Sequence, residues 1–218
     1  MAHRQNLPET ASVANYESDG RLNAPSAVRN ADAIVNLVRK TVIKPGKALE
    51  LASGTGQHIV KLASALPHIH WQPSDVDEAR IKSIRCWSDD QPLKNLMPPC
   101  ILDATTKGWA IDHRYQDLIL LVNLLHLISD KESIILVKEM SKALASGGLS
   151  IIYGPFMRTG KLVSKNDIEF HHSLVNTDPD LGYKNDIDII SLFAGEGFHH
   201  LNTEKMPANN LAFIFQKL

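Results

Sequence analysis

The sequence has little cysteine, no excess of either charge and no long apolar run. Cys86 and Cys100 are the only cysteines among 218 residues, too few for a disulfide framework and typical of a reducing compartment. Lysine and arginine total 23 against 24 for aspartate and glutamate, which indicates no broad basic surface for nucleic acid. The longest apolar stretch, residues 118–128, is interrupted by polar residues and is too short to span a bilayer. Because the sequence also opens on polar residues instead of a secretory signal, we expect a cytoplasmic protein that binds neither membrane nor nucleic acid.

The composition is otherwise that of an ordinary globular protein. Hydrophobic residues make up 44% and charged residues 22% of the chain, enough for a core that needs no disulfide or structural metal. The length is that of one domain at roughly 100–200 residues per domain, and no linker or repeat divides the chain. We predict an N-terminal arm over residues 1–24, followed by a single domain over residues 25–218.

Strand-like and helix-like segments alternate along the chain. Pro25 begins a helical pattern in which apolar residues recur at steps of three and four: Val28, Ala31, Val35, Val38 and Val42. Strands are predicted at 48–51, 68–72, 100–102, 117–122, 149–153 and in two terminal segments, the last at 211–216. Further helices are predicted at 57–66, 78–87, 164–176 and 186–194, and one from the capping box at Ser129 to about Gly147-Gly148. This order predicts an α/β fold with a mostly parallel sheet, whose ligands bind beyond the carboxyl ends of the strands.

A glycine-containing loop follows the first predicted strand. Gly54 and Gly56 allow a tight turn and a close approach of the backbone to a ligand. A dinucleotide fingerprint would need a small residue where Ile59 stands, which argues against a nicotinamide oxidoreductase. The loop instead resembles the nucleoside-binding loop of class I S-adenosylmethionine-dependent methyltransferases, in which an acid is followed four and six residues later by glycines. Glu50 occupies the acid position, and Ala52 replaces the commoner first glycine.

Two further acids follow the next two predicted strands. Asp75 stands 25 residues after Glu50, where its carboxylate can accept hydrogen bonds from both ribose hydroxyls. Asp77 is the alternative, but strand alternation points it to the other side, and it is better placed to cap the next helix. Asp103 resembles the family residue that accepts the adenine amino group, with Ala104 beside the ring. The ordered set predicts an S-adenosylmethionine site, with S-adenosylhomocysteine as the product.

Four segments extend the resemblance over nearly the full length of the chain. They are LELASGTGQ at 49–57, WQPSD at 71–75, YGPF at 153–156 and MPANN at 206–210. Together with the Arg29-Asn30 pair, they resemble the DUF938 or methyltransferase-like-26 family. The resemblance implies a Rossmann-like class I methyltransferase fold, with a seven-stranded, mostly parallel sheet whose last strand is antiparallel. It implies the cofactor but no substrate.

The catalytic candidates follow the fourth and fifth predicted strands. Asn123 is a candidate for binding the cofactor's amino-acid portion or the acceptor. His126 is a candidate general base because histidine titrates near neutral pH, although it can equally pack beneath the cofactor. Tyr153 is the second catalytic candidate, since the turn after it can present Tyr153 or Phe156 to a substrate. Either aromatic side chain also suits a core position.

Other polar residues are candidates for binding the methyl acceptor. The guanidinium of Arg29 can hold a carboxylate, although its helix position also suits exposure to solvent. Asn209 and Asn210 can recognise a polar acceptor through paired amides, or simply form an Asx turn. Asn166 and Phe170, on the helix after the fifth strand, complete the set. The histidine doublets lack a zinc-ligand pattern, so we expect no metal.

These residues predict an S-adenosylmethionine-dependent methyltransferase. Its acceptor would be nitrogen or sulfur, or oxygen, of a small polar metabolite that is amino-acid-like or contains an imidazole. The arm is expected to fold over the site as a lid that excludes water, and the protein to be a monomer or homodimer. The alternatives are a non-catalytic cofactor-binding protein and a methyltransferase that acts on protein or nucleic acid. Amino methylation of a base often uses an Asn/Asp-Pro-Pro-aromatic turn, where this sequence has Asn123-Leu124-Leu125-His126.

Overall fold

A seven-stranded sheet organises the chain. The computed structural model describes residues 7–8, 11–91 and 93–218. The strands of the sheet are β1 (Gly46–Leu51), β2 (Ile69–Asp75), β3 (Cys100–Ile101), β4 (Gln116–Val122), β5 (Leu144–Gly154), β6 (Phe198–Lys205) and β7 (Leu211–Lys217). They lie in the order β6-β7-β5-β4-β1-β2-β3, and neighbouring strands among β1 to β5 pair in parallel. The last strand, β7, is antiparallel to both β5 and β6, which confirms the predicted sheet.

The α-helices are α1 (Pro25–Thr41), α2 (Gln57–Ala65), α3 (Glu78–Asp89), α4 (Asp130–Ala143), α5 (Lys165–Thr177) and α6 (Asp186–Gly195). Three of these helices, α3, α4 and α5, begin at side-chain caps. The predicted capping box at Ser129 is confirmed, since its side chain accepts from the Glu132 N–H while the Glu132 carboxylate accepts from the Ser129 N–H. Asp77 caps α3 as predicted, accepting from the Ala79 N–H at 2.7 Å. These caps therefore help to determine where the helices after β2 and β4 begin.

The two faces of the sheet bury separate apolar clusters, because successive side chains of a strand point to opposite faces. One cluster packs Leu49 and Ile119 against α4 and α6. The other packs Ala48 and Leu118 against α1, α2 and α3, and it includes Tyr153 at the end of β5. Glu50 stands two residues after Ala48, so its side chain points to the same face as Ala48, toward α1 and α2.

The buried stripe of α1 differs from the prediction. Val28 is 56% exposed, whereas Ala27, Asn30 and Ile34 are buried. Ala31, Val38 and Val42 are buried as predicted, and only Val28 and Val35 are less buried than their neighbours Ala27 and Ile34. Asn30 is buried because its amide has polar partners in the interior, described below.

The predicted end of α4 near Gly147-Gly148 is wrong. The helix ends at Ala143 and β5 begins at Leu144. The register between β4 and β5 shifts next to Gln116, and a Cβ on Gly148 would lie 2.9 Å from the Gln116 carbonyl oxygen. The two glycines therefore belong to an irregularity inside the strand, where the backbones approach closely.

Gly56, at the N-cap of α2, is the glycine whose replacement we expect to cost most. It has φ +94°, and a Cβ there would lie 2.9 Å from the Cα of Ile84. We expect Gly56→Ala to lower the free energy of unfolding by about 2–4 kcal/mol, because the backbone clash adds to the strain of a left-handed residue. Urea denaturation measures the loss.

Gly108→Ala is the matched control, since Gly108 has φ +99° but nothing within 4 Å of the Cβ position. This variant should lose only the conformational term, about 1–2 kcal/mol. Equal losses in the two variants would show that contact with Ile84 does not constrain the loop.

Candidate functional site

A cavity of about 320 Å³ opens at the carboxyl ends of β1, β2, β3 and β4, four adjacent strands of the sheet. This is the edge at which parallel α/β sheets bind ligands. The predicted cofactor residues that line it are Glu50, Ala52, Gly54, Asp75, Asp103, Ala104 and Asn123. Gly56 lies behind the loop, against Ile84 of α3. The structure thus brings the predicted cofactor set together, with Gly56 supporting the loop from outside the cavity.

Asp75 fastens the glycine loop to the end of β2. Its Oδ2 accepts from the Gly54 N–H at 2.8 Å, and its Oδ1 accepts from the Asp77 N–H at 3.0 Å. Burial raises the pKa of this carboxyl, while the two backbone hydrogen bonds and the Arg80 charge oppose the rise. Ala52 has φ +52°, a left-handed conformation that explains why glycine is the commoner residue at this position. Asp75 therefore holds the loop as well as facing the cavity.

Asp103 forms a second turn at the same edge. Its Oδ1 accepts from the Thr105 N–H at 2.9 Å and from the Thr105 hydroxyl at 2.6 Å. These contacts with described residues use one carboxylate oxygen, which leaves Oδ2 to accept from a ligand. Leu102 and Ala104, both buried, provide apolar surface on either side of the acid in the chain. The turn is suited to a flat ring with an amino group at its edge.

Glu50 is a buried acid at the floor of the cavity. Its side chain is 1% exposed, and its Oε2 has no hydrogen-bond partner among the residues that the structure describes. Burial, with a smaller contribution from the charge of Asp75, raises the pKa of Glu50 to about 8, although Ser53 opposes the rise. A buried, unpartnered oxygen is costly unless a donor reaches it. A cationic ligand group that reaches this atom would supply the missing donor, and its charge would favour the ionised carboxylate.

A series of buried polar side chains extends from the cavity into the interior beside α1. The Nε2 atom of His58 lies 2.7 Å from Asn30 Oδ1, and the Asn210 amide donates to the Tyr153 hydroxyl at 3.0 Å. Asn30 also hydrogen-bonds Tyr153. Burial lowers the pKa of His58 to about 4 and raises the pKa of Tyr153, a rise that both amides oppose. His58 is the member of this series that lines the cavity.

Sequence reasoning missed His58 and the inward position of Asn30. The signal for Asn30 was its spacing, because it stands one turn after Ala27 and one turn before Ile34, both buried. His58 had no comparable signal, since a histidine in the first turn of a helix is common on any surface. Tyr153 and Asn210 were predicted, but the structure places them behind the cavity wall.

His126 packs in an aromatic cluster outside the cavity lining. It is 5% exposed, and its ring meets Phe170 and Tyr183 edge-on at centroid distances of 5.7 and 6.3 Å. Burial lowers the pKa of His126 to about 3, so the ring accepts a proton poorly at neutral pH. This environment corresponds to the packing alternative and does not favour the predicted base role. Phe170 is likewise a packing residue of this cluster.

Arg29 and Asn166 do not reach the cavity, which corrects their predicted place at the acceptor site. Both side chains are exposed, whereas the next residue along each helix, Asn30 or Asp167, is buried. One residue turns a helix by about 100°, which separates an outward from an inward side chain. Asp167 accepts from Asn209 Nδ2 at 3.3 Å, so Asn209 is engaged with the start of α5. The acid of α5, not its neighbouring amide, is the inward-facing residue.

The N-terminal arm contributes to the cavity wall. Leu7, Ala11, Ser12 and Val13 line the cavity, and the Arg80 guanidinium donates to the Ser12 hydroxyl at 2.7 Å. Residues 1–6 and 9–10 of the predicted arm lie outside the described residues.

A short hairpin anchors the second half of the arm, with Asn15–Tyr16 paired to Leu22–Asn23. Leu22 is 4% exposed, donates its N–H to the Ser83 hydroxyl at 2.8 Å and accepts from the Trp87 indole at 3.1 Å. The arm is therefore attached to α3 next to the cavity.

The raised pKa of Glu50 predicts a pH-dependent stability. The pKa of this carboxyl is about 8 in the folded protein, against an ordinary value of 4.5. The folded state therefore keeps a proton that the unfolded state releases. Stability therefore falls as the pH rises through this window. Between about pH 6.5 and 8, the wild type should lose about 2 kcal/mol more unfolding free energy than Glu50→Gln, which cannot ionise. Urea denaturation at each pH measures both proteins, and parallel curves would contradict the raised pKa.

The fold is similar to that of solved methyltransferases. An O-methyltransferase family 2 protein from Planctomyces limnophilus, solved with apigenin, matches with a TM-score of 0.74 and 15% identity, over 88% of this chain and 58% of its own. Human N-acetylserotonin methyltransferase, solved with S-adenosylmethionine, matches with a TM-score of 0.71 and 14% identity, over 88% and 52%. An O-methyltransferase family protein from Burkholderia thailandensis matches with a TM-score of 0.69 and 14% identity, over 86% of this chain and 58% of its own. This chain thus spans little more than half the length of these structures, and at such identities the likeness establishes the fold.

The sequence itself matches a family model. The model described as "Protein of unknown function (DUF938)" matches residues 21–217, which is nearly the whole chain and confirms the resemblance drawn from the sequence segments. The chain belongs to the DUF938 family and has the Rossmann-like class I methyltransferase fold.

Proposed function

We propose that this protein is an S-adenosylmethionine-dependent methyltransferase that acts on a nitrogen, sulfur or oxygen atom of a small polar metabolite. The observation that carries the proposal is the cavity in which Glu50, Asp75 and Asp103 converge. Glu50 lies near the end of β1, Asp75 ends β2 and Asp103 follows β3, so the three acids are arranged in order along one edge of the sheet. An elongated ligand with three separate donor groups is the partner that such an arrangement favours.

The three carboxylates match the three donor groups of S-adenosylmethionine. Asp75 suits the ribose diol, because each of its oxygens keeps a lone pair beyond its backbone hydrogen bond. Asp103 suits the adenine amino group through Oδ2. Glu50 suits the ammonium group, since its buried Oε2 has no described partner. The bound cofactor would supply an electrophilic methyl group on a sulfonium.

The protein's own task in methyl transfer is to align the acceptor and to exclude water. We place the acceptor where β4 and β5 end side by side. Asn123, with φ +58°, stands there and donates its N–H to the Tyr153 carbonyl at 2.9 Å. The Tyr153 hydroxyl lies behind the cavity wall, where the Asn210 amide donates to it, so Tyr153 supports Asn123 through its backbone carbonyl. Asn123, which lines the cavity, is the residue that we assign to acceptor positioning.

A small acceptor suits the cavity better than a polymer does. Among the described residues that line it, Arg80 is the only one with a guanidinium or ammonium group, so no basic track leads to the site. No helix in the described part of the chain combines the length and the apolar character that a membrane crossing requires. We therefore expect a diffusible polar metabolite as the acceptor.

A turnover screen tests the acceptor class. Purified protein is incubated with S-adenosylmethionine and panels of small amines, thiols, carboxylates and imidazoles, and the release of S-adenosylhomocysteine is measured. Turnover with a member of these panels supports the proposal. Turnover confined to protein or nucleic acid would contradict the small-molecule assignment, and no turnover with any acceptor would favour a cofactor-binding protein.

Calorimetric titration tests the cofactor. The wild type should bind S-adenosylmethionine and S-adenosylhomocysteine and should not bind NAD. Asp75→Ala should weaken binding by at least about 1.5–3 kcal/mol, the range for hydrogen bonds to charged groups, because the carboxylate is lost and the loop is released. Asp89→Ala, at an exposed acid at the end of α3, is the control and should bind normally. Binding of NAD alone, or unchanged affinity in Asp75→Ala, would contradict the assignment.

Shortening the arm tests its role as a lid. A variant that lacks residues 1–13 keeps the hairpin and Leu22 but loses Ser12, the partner of Arg80. We expect it to release S-adenosylhomocysteine about 2- to 10-fold faster, the range for one lost hydrogen bond, with little change in melting temperature. Stopped-flow displacement measures the release rate. Tyr16→Ala, in the exposed part of the arm, is the control, and unchanged release from the shortened protein would contradict the lid.

A further inference from the structure

Glu50 and His58 approach the cavity from the same side of the sheet. The side chain of Glu50 points to the face that α1 and α2 cover, because Ala48, two residues earlier, packs in that cluster. His58 stands in the first turn of α2, directly after the glycine loop, and lines the same cavity. The two side chains are 1% and 8% exposed, so water has little access to either. Both therefore belong to the end of the cavity next to α1.

Asn30 determines which nitrogen of His58 carries the proton. The amide oxygen of Asn30 lies 2.7 Å from Nε2, and an oxygen can only accept, so Nε2 must donate. A neutral ring with a proton on Nε2 has a lone pair on Nδ1. The low pKa of His58, about 4 because of burial, keeps the ring neutral at physiological pH. His58 is thus a buried hydrogen-bond acceptor of fixed orientation.

The orientation of Asn30 is in turn held from the sheet. Asn30 also hydrogen-bonds the Tyr153 hydroxyl, which receives a second hydrogen bond from Asn210 at 3.0 Å. The series joins α1, β5 and the turn before β7 to a single ring at the cavity wall. A buried amide in an otherwise apolar helix face is costly without such partners, so the arrangement points to a role for the ring that it holds.

We propose that His58 binds the cofactor's amino-acid portion. Its Nδ1 accepts a hydrogen bond from the same ammonium group that donates to Glu50. The inference rests on the proposed cofactor and assigns a residue that the methyltransferase-like loop pattern does not contain. An ammonium group has three N–H donors and loses its water when it enters the cavity, so a single carboxylate leaves donors unpaired. A neutral acceptor in the same cavity satisfies another donor without adding negative charge. Asn30 is a positioning residue that acts through His58.

Two ligands that differ in the amino-acid portion test the proposal by calorimetry. S-adenosylhomocysteine carries the ammonium group, and methylthioadenosine ends at the sulfur and lacks it. His58→Phe should bind S-adenosylhomocysteine about 10- to 100-fold more weakly and methylthioadenosine within about twofold of the wild type. His70→Gln, at an exposed histidine on β2, is the control and should bind both ligands normally. Equal losses for the two ligands, or no loss, would overturn the assignment.

Nitrogen NMR of the unchanged protein gives a second readout that does not depend on folding of a variant. The His58 ring should show the Nε2–H tautomer without ligand, and the Nδ1 resonance should shift when S-adenosylhomocysteine binds but not when methylthioadenosine binds. In Asn30→Leu, the preference for one tautomer should be lost. An Nδ1–H tautomer in the free protein would overturn the proposal.

The outcomes separate this proposal from the proposed function. If the wild type binds neither ligand, the cofactor assignment itself is wrong. If the wild type binds both and Asp75→Ala binds both more weakly, while His58→Phe binds S-adenosylhomocysteine as the wild type does, the cofactor site stands and the role of His58 is refuted.

Discussion

The hydrogen bond from the Gly54 N–H to the Asp75 carboxylate, 2.8 Å long, links the loop after β1 to the end of β2. The loop turns back through left-handed residues at Ala52, Gly54 and Gly56, and contacts from outside the loop hold the non-glycine Ala52 in this strained conformation. Burial raises the pKa of Asp75. The hydrogen bonds that its carboxylate accepts from the backbone N–H groups lower the cost of burying the charge. That link therefore holds the part of the cavity wall that Ala52 and Gly54 form.

Around the link, the two faces of the sheet have different tasks. The face covered by α4 and α6 is an apolar core that includes Leu49, Ile152 and Phe213. The face covered by α1, α2 and α3 is apolar along most of its length, but it carries Glu50, Asn30, His58 and Tyr153 toward the carboxyl ends of the strands. Asn30, His58 and Tyr153 are tolerated there because each has a buried partner, whereas Glu50 Oε2 has none among the described residues. That exception lies in the cavity wall, where a ligand would supply the missing donor.

The arm lines the cavity and also packs against the aromatic cluster around His126. Arg80 reaches from α3 to Ser12 of the arm, and the same guanidinium acts on the charge of Asp75. Leu7 and Ala11 pack with Phe170 and Tyr183, the residues that enclose His126. His126 is therefore part of the structure that supports the arm, and its low pKa follows from that packing. The arm thus connects the ribose end of the proposed site with α5.

The sequence by itself determined the order of strands and helices, the acid-glycine loop, and the acids that end β2 and follow β3. These features depend on local patterns, since strand alternation, caps and left-handed turns involve residues close together in the chain. Only the tertiary structure decided which residue of α1 and of α5 faces inward, Asn30 instead of Arg29 and Asp167 instead of Asn166. The packing partners of a helix decide its rotation about its axis. A polar residue can face inward when a residue distant in the chain hydrogen-bonds it, as His58 does with Asn30 and Tyr183 with Asp167. The position of Gly147 and Gly148 inside β5 also could not be predicted from the sequence, because the irregularity that they accommodate forms only when β4 pairs with β5.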